Sequence, residues 1–416
     1  MSRGEGAMRG YNPRVIVVEN LRRAVAEMDL VGVDEVGKKL MAPKAVHRVV
    51  KVEGLTPKAA NVLKQEMLAR GGEAAVAHGA ADWSVERTDV LLMGTLRQYR
   101  LLVSKLKMQP FGLAELGRQL EEVLARWESE GRWRLECGSH TLEVGARTLV
   151  MGILNVTPDS FSDGGLYLDV EAAVARAREM VSQGADIVDV GGESTRPGST
   201  PVSEQEEMDR VLPVIERLVR ELPVPISVDT YKARVAREAL RLGAHIVNDV
   251  GGLRADPEMA QVVAEFGVPV VIMHGLAEHR RKEWPEYRSV MDALGDFFWE
   301  SLDLAERAGI SRDLVIIDPG IGFGKKAEHN LEIIARLREL RSFGRPILLG
   351  PSRKRVVGDV LGLPVEERLE GTAAAVALGI ANGADIVRVH DVKEMVRVAR
   401  MADAIVRRPA GGQWGG

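Results

Sequence analysis

From residue 148 to residue 390 the sequence repeats one unit: a short apolar run, one or two polar residues at its end, then an amphipathic stretch. The runs fall at 148–155, 185–191, 224–229, 244–249, 268–273, 313–318, 346–350 and 385–390. Several, such as VPVVIM and DLVIID, are apolar almost throughout, as expected of parallel strands covered on both faces. Three units echo one another: GADIVDVGG (184–192), GAHIVNDVGG (243–252) and GADIVRVHDV (383–392). In each, a glycine sits where a helix would end in the left-handed conformation that other residues enter at a cost. A strand follows, and polar residues close it. Eight such units predict an α/β fold of the (β/α)8 TIM-barrel type. A doubly wound open sheet shares the local periodicity and stays open at this level.

Ahead of the repeat the pattern differs. Runs at 14–18, 46–53, 74–77 and 89–93 read as short strands, and 19–29, 57–70 and 113–127 as amphipathic helices, the second started by Thr56 and Pro57. The stretch 126–140 (RWESEGRWRLECGSH) breaks this pattern with glycine, tryptophan and charge. The expected organisation is a small α/β extension of unassigned role over 1–135 and the barrel over 136–416. The extension carries no chemical motif. Met93-Gly94-Thr95, followed by Arg97 and Arg100, could meet an anion, but a solvated loop is the simpler reading.

Charge narrows the partners. With 56 Lys and Arg against 60 Asp and Glu, the net charge is −4, so no global basic field draws in nucleic acid or a membrane surface. Any anion site must be local. The single cysteine, Cys137, can form no intrachain disulfide and no cysteine-based metal cluster. The first residues lack the apolar core of a secretory leader, and no run reaches the ~18 apolar residues of a membrane span. A cytoplasmic location is expected.

The chemistry lies at the C-terminal ends of the runs, where barrel enzymes place it. In order these are Asn155; Glu193, Ser194 and Thr195; Asp229; Asn248 and Asp249; Met273 and His274; Asp318; Ser352, Arg353 and Lys354; Arg388 and His390. Each alone could cap a helix or satisfy a loop. Acids and amides recurring at successive strand ends need a polar partner, and a polar ligand supplies one. Asp229 and Asp318 can accept from ring N–H and amino groups, while Asn248 both donates and accepts. SRKR (352–355) opens the helix after the seventh run, so backbone N–H groups and three basic side chains are expected to converge on an anion there. These residues point to a heterocycle bearing phosphate.

Longer stretches sharpen that expectation. MGILNVTPDSFSDGG (151–165), GADIVDVGGESTRPGS (184–199), SVDT (227–230), NDVGG (248–252), IMH (272–274), DPGIGFGK (318–325), GPSRKR (350–355) and RVHDV (388–392) closely resemble the motifs of the dihydropteroate synthase family, in the same order. The resemblance covers the whole of 136–416. It implies condensation of a pterin methyl diphosphate with 4-aminobenzoate in folate synthesis, Mg2+ dependence, a homodimer and inhibition by sulfonamides, which mimic the arylamine. By the same resemblance Asn155 contacts the Mg2+ carried by the diphosphate. Asp229, Asn248, Asp318 and Lys354 match the pterin pocket, with Met273 and Phe323 packing by the ring. Thr195, Arg196, Arg388 and His390 match positions that contact the diphosphate or shape the active loops. Ser352 and Pro197 would border the amine site, and Lys354, Asp229, Arg388 and His390 are the expected catalytic set. Pro351, Arg355 and the basic segment after His274 depart from the family pattern. A methyltetrahydrofolate–corrinoid methyltransferase is the nearest rival enzyme, but it needs no diphosphate site. A pterin-binding module without activity is the rival of another class.

Overall fold

Residues 11, 13–157, 166–193, 202–275 and 285–407 are described by a computed structural model of the chain, which divides into a unit ending at Glu128 and a unit spanning Ser129–Pro409. In the first, β1 (His47–Leu55), β2 (Glu73–Val76) and β3 (Thr88–Thr95) pair antiparallel in the order β1-β3-β2. Alternation sends Ala74, Val90 and Leu92 to one face of this sheet. There they pack with Leu63 and Met67 of helix Pro57–Leu68 and with Tyr99 and Leu102 of helix Leu96–Leu106. The Tyr99 hydroxyl meets its need for a partner by donating to Leu92 O at 2.8 Å.

Three expectations for this unit need correction. Residues 14–18 form no strand; Val15 and Val17 are 97% and 71% exposed, because β-propensity makes no strand without a ladder to join. The segment after Met93 is no solvated loop. Thr95 ends β3 and caps helix Leu96–Leu106 in a capping box with Gln98, which places Arg97 and Arg100 on that helix. Helix Glu35–Ala45 was not anticipated, since Gly37 and Pro43 interrupt its apolar rhythm. Asp34 starts it by accepting from Val36 N and Gly37 N at 2.9 Å each.

In the second unit an antiparallel hairpin, β4 (Trp133–Cys137) and β5 (His140–Val144), precedes the barrel. The barrel strands are β6 (Leu149–Asn155), β7 (Ile187–Gly191), β8 (Ile226–Asp229), β9 (Ile246–Asp249), β10 (Val270–Met273), β11 (Val315–Asp318), β12 (Leu348–Leu349) and β13 (Ile386–Val389). They form one parallel sheet ordered β11-β10-β9-β8-β7-β6-β13-β12, and a parallel bridge from Ile317 to Ile347 joins its two ends. The eight apolar runs therefore make a TIM barrel, not an open sheet. Among the described residues no helix is long and apolar enough to cross a membrane.

The period of two decides what enters the barrel. Leu149, Met151, Ile187, Ile246, Val271, Ile316, Leu348 and Ile386 form one apolar cluster with Leu135, Cys137, Leu142 and Val144 of the hairpin. The hairpin thus plugs the N-terminal end. Alternate strand residues such as Val188, Val228, Val247, Val270 and Val387 turn outward into the core shared with the helices.

Candidate active site

Two residues beyond the apolar plug, on the same face of each strand, the barrel interior becomes polar. Ile187 is followed by Asp189, Ile246 by Asn248, Ile316 by Asp318 and Ile386 by Arg388. Register fixes their neighbours. Asp189 lies opposite Ser227, Asp229 opposite Asn248, and Met273 opposite Asp318. Above this layer is a pocket lined by the polar residues Asp229, Asn248, Asp318, Lys354 and Arg388 and by the apolar residues Val250, Met273, Ile321 and Phe323. A lining that mixes hydrogen-bonding groups with apolar surface suits a flat, hydrogen-bonding heterocycle.

Asp189 organises the floor. It is fully buried, and its Oδ2 accepts from Asn248 Nδ2 at 3.0 Å and from Arg388 Nε at 2.6 Å. A second guanidinium nitrogen of Arg388 donates to Asp229 Oδ2 at 2.5 Å. Burial opposes charge on Arg388, but Asp189 and Asp229 outweigh it and hold the guanidinium charged. Burial pushes the Asp229 carboxyl above the usual carboxylate range, against the pull of Arg388. Asp318 is likewise raised by burial, opposed by the Gly320 N–H that donates to Oδ1 at 2.7 Å and by the charges of Lys354, Arg388 and Lys325. Asp189 Oδ1 and Ser227 Oγ are buried without a hydrogen-bond partner among the described residues.

The apolar wall forms where Val250, Met273 and Phe323 cluster. Lys354 Nζ stands 4.3 Å from the centre of the Phe323 ring, a cation–π contact that aims the ammonium along the pocket wall. His390 lies one layer out. Its Nδ1 is 3.0 Å from Ser352 Oγ, and its backbone N–H donates to the same hydroxyl at 3.1 Å. Burial, reinforced by Arg388, Arg353 and Lys354, pushes the imidazole down to about 3, so the ring is neutral at physiological pH.

The structure therefore brings Asp229, Asn248, Met273, Asp318, Phe323, Lys354 and Arg388 to one pocket, with Ser352 and His390 paired beside it. Asn155 ends β6 half-buried, in register with Gly191. Thr195, Arg196 and Pro197 lie outside the described residues. The expected convergence of three cations at 352–355 does not occur. Arg353 turns to Asp391, with contacts of 3.0 and 2.5 Å, and Arg355 pairs with Asp359 on the same helix. Backbone donors are also engaged there: Arg353 N donates to Thr372 Oγ1 and Lys354 N to Pro351 O. Arg388, expected on the phosphate side, is held by carboxylates because it lies two residues above Ile386, inside the barrel. Sequence reasoning missed Asp189. The available signal was an acid in the middle of an apolar run, on the face that ends in the polar layer.

A barrel whose C-terminal mouth offers this donor and acceptor set defines a class, and residues 151–390 match the family described as pterin binding enzyme. The dihydropteroate synthase of Bacillus subtilis is 54% identical over 263 residues, 63% of this chain and 90% of that protein. A solved Xanthomonas albilineans dihydropteroate synthase with 4-aminobenzoic acid has a TM-score of 0.63 and 44% identity, covering 67% of this chain and all of that one. A probable bifunctional folylpolyglutamate synthase/dihydropteroate synthase of Halobacterium salinarum is 45% identical over 392 residues, 93% of this chain and 46% of that protein. The chain belongs to the dihydropteroate synthase family.

Proposed function

We propose that this chain condenses (7,8-dihydropterin-6-yl)methyl diphosphate with 4-aminobenzoate to give 7,8-dihydropteroate and diphosphate. The observation that carries the reading is the polar layer of Asp229, Asn248, Asp318, Lys354 and Arg388 around one pocket walled by Met273 and Phe323. The carboxylates accept from the pterin's amino and ring N–H groups, and Asn248 complements both donors and acceptors. The ring then lies against Phe323 and Met273, with its methylene toward the mouth. The methylene C–O bond breaks with its electron pair passing to the diphosphate oxygen. The lone pair of the neutral arylamine forms the new C–N bond, and the nitrogen sheds a proton to solvent or diphosphate. No side-chain nucleophile is required.

Charge placement does the chemistry. Asp229 and Asp318 stabilise positive charge spreading into the pterin, and Lys354, with Thr195 and Arg196 as the family resemblance implies, meets the departing diphosphate. Each well-placed group of this kind contributes about 3 kcal/mol. Arg388 orients Asp229, and the neutral His390 with Ser352 borders the amine. Asn155 offers one neutral amide oxygen, and among the described residues no three His, Cys, Asp or Glu side chains cluster to hold a metal. That donor set suits Mg2+ held mainly by diphosphate oxygens, where it would neutralise leaving-group charge. Charged, membrane-impermeant substrates fit a cytoplasmic enzyme.

Incubation of the chain with pterin diphosphate, 4-aminobenzoate and Mg2+ is expected to yield diphosphate and dihydropteroate in equal amounts. Methyl transfer from methyltetrahydrofolate, with no turnover of the diphosphate, would overturn the reading.

A further inference from the structure

Lys325 is only 2% exposed, yet it carries a charge that burial penalises. Its Nζ donates to three backbone carbonyls: Gly320 O at 3.0 Å, Phe323 O at 3.0 Å and His274 O at 3.2 Å. Three acceptors match the three N–H donors of an ammonium. The first two carbonyls belong to the turn that leaves β11, and the third to the end of β10. One side chain therefore ties two strand ends together from inside the turn.

The local backbone is shaped around this head group. Gly320 has a φ of +69°, and a Cβ there would lie 1.9 Å from His274 O. A Cβ on Gly275, at a φ of +119°, would lie 2.8 Å from Lys325 Nζ and 2.7 Å from Phe323 O. Only glycine permits both the conformation and the approach. Turned this way, Gly320 gives its N–H to Asp318 Oδ1 and its carbonyl to Lys325, so the acid and the ammonium clasp opposite sides of one residue. From outside, Asn330 Oδ1 accepts from Gly322 N at 2.7 Å, a second tether that carries no charge.

Resting on the proposed pterin reaction, we propose that Lys325 is a positioning residue for the pterin pocket: it closes the Gly320–Phe323 turn so that Phe323 walls the pocket, and it sets an ammonium across Gly320 from the Asp318 carboxylate. Lys325 touches no reacting atom in this scheme. Among the described residues the cations that act on Asp318 are Lys354, Arg388 and Lys325, and Gly320 N donates to its carboxylate. Lys354 and Arg388 line the pocket, whereas Lys325 acts from behind the turn. A methionine would fill the same space but leave three backbone carbonyls without their donor.

The test is calorimetric binding of the pterin diphosphate, without arylamine, to the full chain and to Lys325→Met and Asn330→Ala across pH. Wild-type binding is the reference; its absence would remove the pterin reading itself, independently of Lys325. With wild-type binding present, Lys325→Met is expected to raise Kd about tenfold or more, the scale of hydrogen bonds to a charged group. Its acid limb should also move to higher pH, because Asp318 loses a neighbouring cation. Asn330→Ala loosens the same turn and should raise Kd with the acid limb unmoved. A wild-type Kd for Lys325→Met, or an acid limb that stays in place, would overturn the proposal. If Lys325→Met does not fold, Lys325→Arg decides. It keeps the charge but cannot satisfy three converging carbonyls with a planar head, so Kd should rise at an unshifted acid limb, and an unchanged Kd counts against the proposal.

Discussion

At Asp189, one carboxylate oxygen holds Asn248 and Arg388 while the other has no hydrogen-bond partner among the described residues, so this acid fixes two pocket residues without lining the pocket itself. That indirect role explains why it was hard to read. Asp229, Asn248 and Asp318 stood out because each closes an apolar run, whereas Asp189 interrupts one. The burial of Asp229 and Asp318 has a consequence for pH. Both carboxyls are raised above the ordinary range by burial, and each accepts from a pterin more strongly, and at both oxygens, as the anion. The sign follows directly: affinity is full above the raised values and falls as pH drops through them, nearer neutrality than for exposed aspartates. Calorimetry with a pterin diphosphate from mildly alkaline to mildly acid pH is expected to show that decline. Asp318→Asn should bind weakly throughout and flatten the profile, because its amide mismatches one donor at every pH. A profile of Asp318→Asn parallel to wild type would remove Asp318 from the titration.

Among the elements, the barrel strands were legible and the plug beneath them was not. Each of the eight apolar runs contains one strand, since parallel strands buried on both faces must be apolar along their length. The hairpin of β4 and β5 obeys a plain period of two, with Leu135 and Cys137 inward and Arg134 and Glu136 outward. Its glycine and charges nevertheless read as a break between domains. The 14–18 run shows the converse, a strand-like composition without a ladder. The SRKR segment shows a third limit, because ion pairs with Asp391 and Asp359 decide where Arg353 and Arg355 point, and those partners are distant or unmarked in sequence. The plug also sets a stability test. Leu135 is fully buried among the bottom layer of barrel side chains. Leu135→Ala should cost about 2–5 kcal/mol through lost burial and a residual cavity. Denaturant unfolding measures that cost, and a loss well below this range would mean that the hairpin does not seal the barrel.

For the whole molecule, the relatives differ in how much of this chain they cover. The Bacillus subtilis enzyme aligns with 63% of this chain yet is covered over 90% of its own length, while the halobacterial bifunctional protein aligns with 93% of the chain. The first unit has its own apolar core around Leu63, Met67, Tyr99 and Leu102, and the described lining of the pocket comes from the second unit. A chain beginning at Ser129 is therefore expected to keep the turnover of the full chain in the diphosphate-release assay. Loss of turnover in a folded barrel would assign the first unit a part in catalysis. Assembly is the remaining step. The barrel helices Leu369–Ala381 and Val392–Val406 are neighbours, and they present Leu378 at 59%, Met401 at 59% and Ile405 at 64% exposure. Exposed apolar side chains on adjacent helices favour a self-complementary contact about a two-fold axis, the commonest arrangement of soluble oligomers. We therefore expect a homodimer through this face. Sedimentation equilibrium should give twice the chain mass, and Leu378→Glu combined with Met401→Glu should return the monomer while leaving the pterin affinity in place. A wild-type monomer at micromolar concentration, or a dimer untouched by both charges, would exclude this face as the contact.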